Sequence, residues 1–151
     1  MGLKAALSRI FAAWVNKDLD HIRRHSLDLQ HKTFLHLIDR AKNTSFGRDH
    51  QFEQISTYDD FKRLVPIRDY EDLRPYIDRI THGEADILWP GKPEYLAKTS
   101  GTTSGVKYIP ITGESMPEHI KAARNALLSY IHETGKSDFV DGKMIFFQGS
   151  P

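Results

Sequence analysis

The sequence predicts an α/β protein, with a mainly helical half over residues 1–83 and a segment reading strand, loop, strand, helix, strand over residues 84–151. Three observations carry this. Apolar residues recur at three- and four-residue spacing through the first half. Trp89-Pro90-Gly91-Lys92-Pro93 is turn chemistry that separates the halves. Beyond it, two short apolar runs flank Thr99-Ser100-Gly101-Thr102-Thr103-Ser104-Gly105-Val106-Lys107, ahead of a helical stripe and the run Met144-Ile145-Phe146-Phe147.

Taken in order, Leu3, Leu7, Ile10, Phe11 and Trp14 predict an amphipathic helix over 2–15 with one broad apolar face. That face is expected to pack against the rest of the protein, because Lys4 and Arg9 supply too little positive charge for a membrane-surface helix. A second helix over 26–42 presents Leu27, Phe34, Leu37, Ile38 and Ala41, with Asn43 and Gly47 marking its end. Thr57 with Asp60, and Asp69 with Asp72, have the spacing that opens a helix. Pro75 is expected to start a fresh turn rather than sit inside the second of these, and Gly83 to end it.

In the second half Ser115 and Glu118 have capping-box spacing, with Pro117 in the first turn. Met116, Ile120, Ala123, Leu127, Tyr130 and Ile131 predict the buried stripe of that helix, closed by Gly135 and Lys136. Asp141-Gly142 then turns the chain into 144–147, a continuous apolar run typical of a strand covered on both faces. Such a strand needs neighbours that this sequence does not supply, so the sheet is expected to be an incomplete one.

The composition excludes several function classes. Twenty-one Lys and Arg against 20 Asp and Glu leave a net charge of +1, so no bulk positive field marks the chain as a nucleic-acid binder. Cysteine is absent, which removes disulfides, thiolate metal sites and cysteine nucleophiles and fits a reducing, cytoplasmic setting. At the N-terminus Arg9 splits the apolar run, no small-residue cleavage site follows, and Ala6 stands where a myristoylation signal needs Ser or Thr. No run is long enough to span a bilayer, so no membrane partner is expected.

Chemistry concentrates in residues 99–107. Gly, Ser and Thr let backbone N–H groups turn inward around an anion while the hydroxyls add donors, which makes a phosphate cradle. It is not the common nucleotide P-loop. Gly101 and Gly105 are separated by three residues rather than four, Tyr108 follows Lys107, and Tyr108-Ile109-Pro110-Ile111 reads as a strand where that motif has a helix. Taken alone, such a stretch is equally well an ordinary hairpin, and the flanking sequence has to decide. Lys98 reads as a sheet-edge lysine. His21 and His25 share a helical face at i, i+4 spacing, but no third ligand is evident and Arg23 and Arg24 lie between them, so no metal is assigned. His132 suits the C-terminal dipole of its helix. Trp89, Tyr95 and Phe146 are assigned no ligand, and no nucleophile elbow or catalytic triad can be built.

Thr99-Ser100-Gly101-Thr102-Thr103, a glycine shortly after, and Lys107 resemble the phosphate-binding loop of the adenylate-forming superfamily. Leu88 to Pro93, Tyr108 to Thr112, Val65-Pro66-Ile67 and Tyr70-Glu71-Asp72-Leu73-Arg74-Pro75-Tyr76-Ile77 resemble, within it, the auxin-responsive Gretchen Hagen family of acyl acid amido synthetases. The likeness runs from about Arg40 to Pro151, although Ser104 is inserted before Gly105 relative to the general adenylating pattern. It implies that the chain is the N-terminal part of an adenylate-forming large domain, missing a C-terminal part of the same polypeptide. It implies ATP and Mg2+, with Thr99, Ser100, Gly101, Thr102, Thr103 and Gly105 on phosphate oxygens and Lys107 as the catalytic cation at the leaving group. The implied partners are a small carboxylic acid and an amine such as an amino acid. A thioester-forming ligase of the same superfamily, and a catalytically inactive truncated chain, stand as alternatives.

Overall fold

The computed structural model describes residues 2–99 and 105–143. Its helices are α1 (Leu3–Arg24), α2 (Ser26–Ala41), α3 (Ser45–Asp49), α4 (Tyr58–Leu64), α5 (Tyr70–Thr81) and α6 (Met116–Thr134). Strands β1 (Tyr95–Thr99) and β2 (Lys107–Ile111), which follow α5 and precede α6 in the sequence, pair antiparallel. Helices followed by two strands and a further helix are present in the expected order, and the described residues are mostly helical with a two-stranded sheet. The strand expected at Met144–Phe147 lies outside the described residues. By contacts the chain divides into one unit of residues 1–29 with 116–151 and another of residues 30–115.

In the unit of residues 30–115, local caps set the helix starts. Thr57 accepts from the Asp60 N–H while Asp60 accepts from that of Thr57, and Asp69 and Asp72 repeat the arrangement at α5. Each box satisfies two backbone donors that a helix start otherwise leaves unpaired. Pro75 sits inside α5, contrary to the expected fresh turn. It forfeits one backbone bond early in the helix, and the closed capping box ahead of it and the buried Ile77 and Ile80 after it keep the helix continuous. The end at Gly83 is as expected: its N–H reaches the Ile80 carbonyl at 2.9 Å, and Glu84 N–H reaches that of Arg79 at 3.1 Å. Gly47 lies within α3 rather than ending α2, and a Cβ there would stand 2.1 Å from the Ala41 carbonyl oxygen, a distance that admits only glycine.

Two apolar clusters hold this unit. Ile38, Ala41, Phe52 and Ile55 form one, with Phe46, Phe61 and Trp89 packed on it. Ile77, Ile80 and Ile87 form the other, with Tyr70 and Tyr108 on its flank, so the face of α5 that leaves the helix as an apolar stripe is the face that meets β2. Backbone bonds from Ser45 N–H to Asp86 and Phe46 N–H to Ile87 stitch the start of α3 to the segment before β1.

In the other unit α1 packs along α6, and its apolar stripe differs from the expected one. The buried positions of α1 are Ala5, Ala12, Val15 and Asn16, and Ala12 and Val15 meet Leu128 and Ile131 of α6. Leu3, Ile10 and Trp14 remain 78%, 70% and 60% exposed. Small side chains let two helices approach closely, so the alanine face seats α6 and the large side chains are left outside. The helix also runs on to Arg24, past the expected end near residue 15, because Leu19 continues the same seam. On α6 the buried positions are Leu128 and Ile131, while Ile120, Leu127 and Tyr130 of the expected stripe are exposed. The expected Ser115–Glu118 box is replaced by a Ser115–Thr112 turn, in which each residue's N–H meets the other's hydroxyl. The Glu118 carboxylate pairs with Lys121 instead.

Candidate phosphate site at the β1–β2 connection

Register places the ends of the two strands together. Tyr95 pairs with Ile111, and the ladder runs to Thr99 directly opposite Lys107. Thr99, at the end of β1, and Lys107, at the start of β2, therefore stand side by side at one mouth of the sheet. Ser100, Gly101, Thr102 and Thr103 of the expected phosphate set lie outside the described residues, as does Ser104. Gly105 has φ of +83°, and a Cβ there would meet nothing within 4 Å. The backbone conformation alone, not crowding, asks for glycine at that position. Lys98 is exposed on β1, as expected for a sheet-edge lysine.

Lys107 is half-buried, and its ammonium stands 5.2 Å from the centre of the Tyr70 ring. A cation over an aromatic face gains about 0.5–1 kcal/mol at an exposed site. Among the described residues no salt bridge engages Lys107. The Tyr70 hydroxyl is tied to the next residue of β2: Tyr108 N–H donates to it at 2.7 Å, and it donates to the Tyr108 carbonyl at 3.4 Å. Pro110 shows which edge this is. Lacking an N–H, it fits an antiparallel pair only where its backbone groups turn away from β1, and Tyr108, two residues earlier, turns the same way. The side chain at the first position of α5 thus occupies the outer edge of β2.

Beside it Glu71 and Arg74 form a two-bonded ion pair at 2.7 and 2.8 Å, with the Arg74 guanidinium 5.5 Å from the same Tyr70 ring. The Arg74 hydrogen bonds hold the Glu71 carboxyl below the usual carboxylate range, and the nearby Lys107 charge adds to the effect. Two cations therefore approach one ring, and one carboxylate lies close enough to feel both. Nothing in the sequence alone gives Tyr70 this role, since no periodicity or spacing joins positions 38 residues apart.

Other constellations resolve differently. His25 Nδ1 bonds the His21 carbonyl oxygen at 3.0 Å, and the two rings lie 4.3 Å apart at the end of α1. Among the described residues no group of three or more His, Cys, Asp or Glu is placed to hold a metal ion. A groove of about 690 Å3 is lined by Arg40, Lys42, Arg48, Thr44, Arg79 and Asp86 among others. Its cations are already engaged: Arg40 with Glu114, Lys42 with Asp39, Arg79 with Glu84, and Arg48 with the Asn43 carbonyl. None of the helices described is long and apolar enough to cross a membrane.

Comparison with known proteins agrees with the resemblance read from the motifs. An indole-3-acetic acid-amido synthetase of Arabidopsis thaliana, GH3.15, is 33% identical over 132 residues, which is 85% of this chain and 22% of that protein. A jasmonoyl-L-amino acid synthetase of Nicotiana attenuata, JAR6, is 29% identical over 104 residues, 68% of this chain and 18% of its own length. Among solved structures, a GH3.15 acyl acid amido synthetase superposes with a TM-score of 0.70 at 28% identity, over 78% of this chain and 21% of that one. The chain thus spans about a fifth of the length of these relatives. The model of the GH3 family N-terminal domain matches residues 15–150, and the chain belongs to that family.

Proposed function

We propose that this chain is the phosphate-holding part of an ATP-dependent ligase that joins a small carboxylic acid to an amine such as an amino acid. The observation that carries the proposal is the mouth of the β1–β2 connection. There Lys107 lies opposite Thr99, with left-handed Gly105 two positions before it, in a chain of the GH3 family. In the reaction a carboxylate oxygen attacks the α-phosphorus of ATP, the bond to the β-phosphate oxygen breaks, and pyrophosphate leaves with its charge. The amine nitrogen then attacks the acyl carbon, AMP departs, and the amine loses a proton.

Hydroxyl and N–H donors of Thr99, Ser100, Gly101, Thr102, Thr103 and Gly105 serve the phosphate oxygens. The Lys107 ammonium offsets the charge that develops on the leaving group. Fixed donors and cations aimed at developing charge are the largest single contribution in such chemistry, and losing one costs about 10² to 10³ in rate. Mg2+ would be held mainly through the nucleotide's phosphates, with few protein ligands, and would supply further charge stabilisation there. The relatives' names favour an amide product over a thioester. The lack of cysteine favours a reducing compartment, and we place the protein in the cytoplasm.

The relatives extend far beyond the length of this chain, and the 151 residues alone should not catalyse adenylation. In a protein of the relatives' length that carries this chain, AMP release should require ATP, a carboxylic acid and an amine. Release that follows coenzyme A instead of the amine would replace the amide reading with the thioester one. Acid-dependent pyrophosphate exchange by the 151-residue chain would show that these residues suffice.

A further inference from the structure

We infer that Tyr70 is a positioning residue for Lys107, fixing both the strand that carries the lysine and the ammonium itself; the inference rests on the phosphate role proposed above. A lysine side chain has four rotatable carbons and gives up much rotamer freedom when held in one place, so a cation of fixed position needs something to hold it. Two separate contacts from one side chain do this. The Tyr70 hydroxyl bonds both backbone groups of Tyr108, at 2.7 and 3.4 Å, and so occupies the edge of β2 where a third strand would otherwise bind. Its ring lies 5.2 Å from the Lys107 ammonium. The hydroxyl thus anchors the residue after the lysine while the ring receives the lysine's charge.

Tyr70 is itself well held. It follows the Asp69 cap, and the Asp69–Asp72 box fixes the turn it stands on. Its ring borders the Ile77, Ile80 and Ile87 cluster. Glu71 and Arg74 close a bidentate pair beside it, so Lys107 faces a ring whose surroundings are nearly balanced in charge. A first contact whose own support is locked by packing and hydrogen bonds is what a charge-stabilising site requires.

The two contacts can be separated by substitution. Tyr70→Phe keeps the ring and removes the hydroxyl, Tyr70→Leu removes both, and Tyr76→Phe removes another hydroxyl of α5, bonded to Asp49 at 2.7 Å, as a control. In acid-dependent ATP–pyrophosphate exchange by a protein of the relatives' length that carries this chain, Tyr70→Leu should lower kcat tenfold or more with the KM for the acid unchanged. Tyr70→Phe should recover most of that loss, and Tyr76→Phe should match wild type. Wild-type kcat in Tyr70→Leu, or equal losses in all three variants, would overturn the positioning role. A second readout does not depend on activity. The ε-methylene protons of Lys107 should show an upfield ring-current shift in the wild-type 151-residue chain and in Tyr70→Phe, and lose it in Tyr70→Leu. A shift that survives in Tyr70→Leu, or is absent from the wild type, overturns the inference even if no exchange is found. Absence of exchange in every form together with the expected shifts would instead count against the ligase reading alone.

Discussion

Thr99 and Lys107 face each other as the last pair of the β1–β2 ladder, which brings a hydroxyl-bearing residue and a cationic one together at the same end of the sheet. The strands fix where the connection begins and ends; the donors proposed for phosphate belong to the sequence between them.

Gly105 tests what the returning arm needs. Its φ of +83° disfavours any residue with a Cβ, although open space surrounds the position. Gly105→Ala should cost about 1–2 kcal/mol through backbone strain alone, and lower the melting temperature by about 2–8 °C. An unchanged melting curve would show that the arm relaxes to an ordinary conformation, and the left-handed turn would then not be a requirement of the site.

Asp60 gives a pH-dependent prediction. The Thr57 hydroxyl first, and then the Ser56 N–H, hold its carboxyl down to about 2 from an ordinary 3.8. A carboxyl lowered on folding contributes stability that is fully present above 3.8 and is lost as the pH falls through about 2. The melting temperature should therefore drop across that window, and Asp60→Asn should shrink the drop. Carboxylate NMR should place the Asp60 midpoint near 2 in wild type and higher in Thr57→Ala. A midpoint near 3.8 in the wild type would remove the capping box as its cause.

The exposed face of α1 can be tested against the buried one. Leu7→Gln and Ile10→Gln should change stability by no more than about 0.5 kcal/mol, because both side chains already stand in solvent. Leu128→Ala, within the α1–α6 seam, should cost about 2–5 kcal/mol. The 151-residue chain should bind hydrophobic dyes or self-associate through its large exposed side chains, and the two glutamine variants together should reduce this. A sharp melt of a monodisperse wild-type chain without dye binding would contradict that reading.

These particulars also show what the sequence reveals and what it hides. The boxes at Thr57–Asp60 and Asp69–Asp72 could be read because a cap is a bond between neighbours in sequence. The seam of α1 could not. Hydrophobic size points to Leu3, Leu7, Ile10 and Trp14, whereas close helix packing selects Ala5 and Ala12, whose burial depends on the small volume of their side chains. Ser115 has box spacing with Glu118, yet Thr112 competes for its hydroxyl, a local choice that spacing does not decide. At the site, Thr99, Gly105 and Lys107 were legible as motif residues and the strands around them as short apolar runs. Tyr70 carries no such signal, since its bond to Tyr108 exists only once α5 has packed on β2.

The role proposed for Lys107 is on the leaving pyrophosphate, and acid-dependent ATP–pyrophosphate exchange measures that step directly. In a protein of the relatives' length carrying this chain, Lys107→Ala should lower the exchange rate by about 10² or more. Its melting temperature should stay within a degree or two of wild type, because a half-exposed strand-end lysine contributes little to stability. An exchange rate unchanged by Lys107→Ala, in a protein whose wild type exchanges, would remove Lys107 from the chemistry.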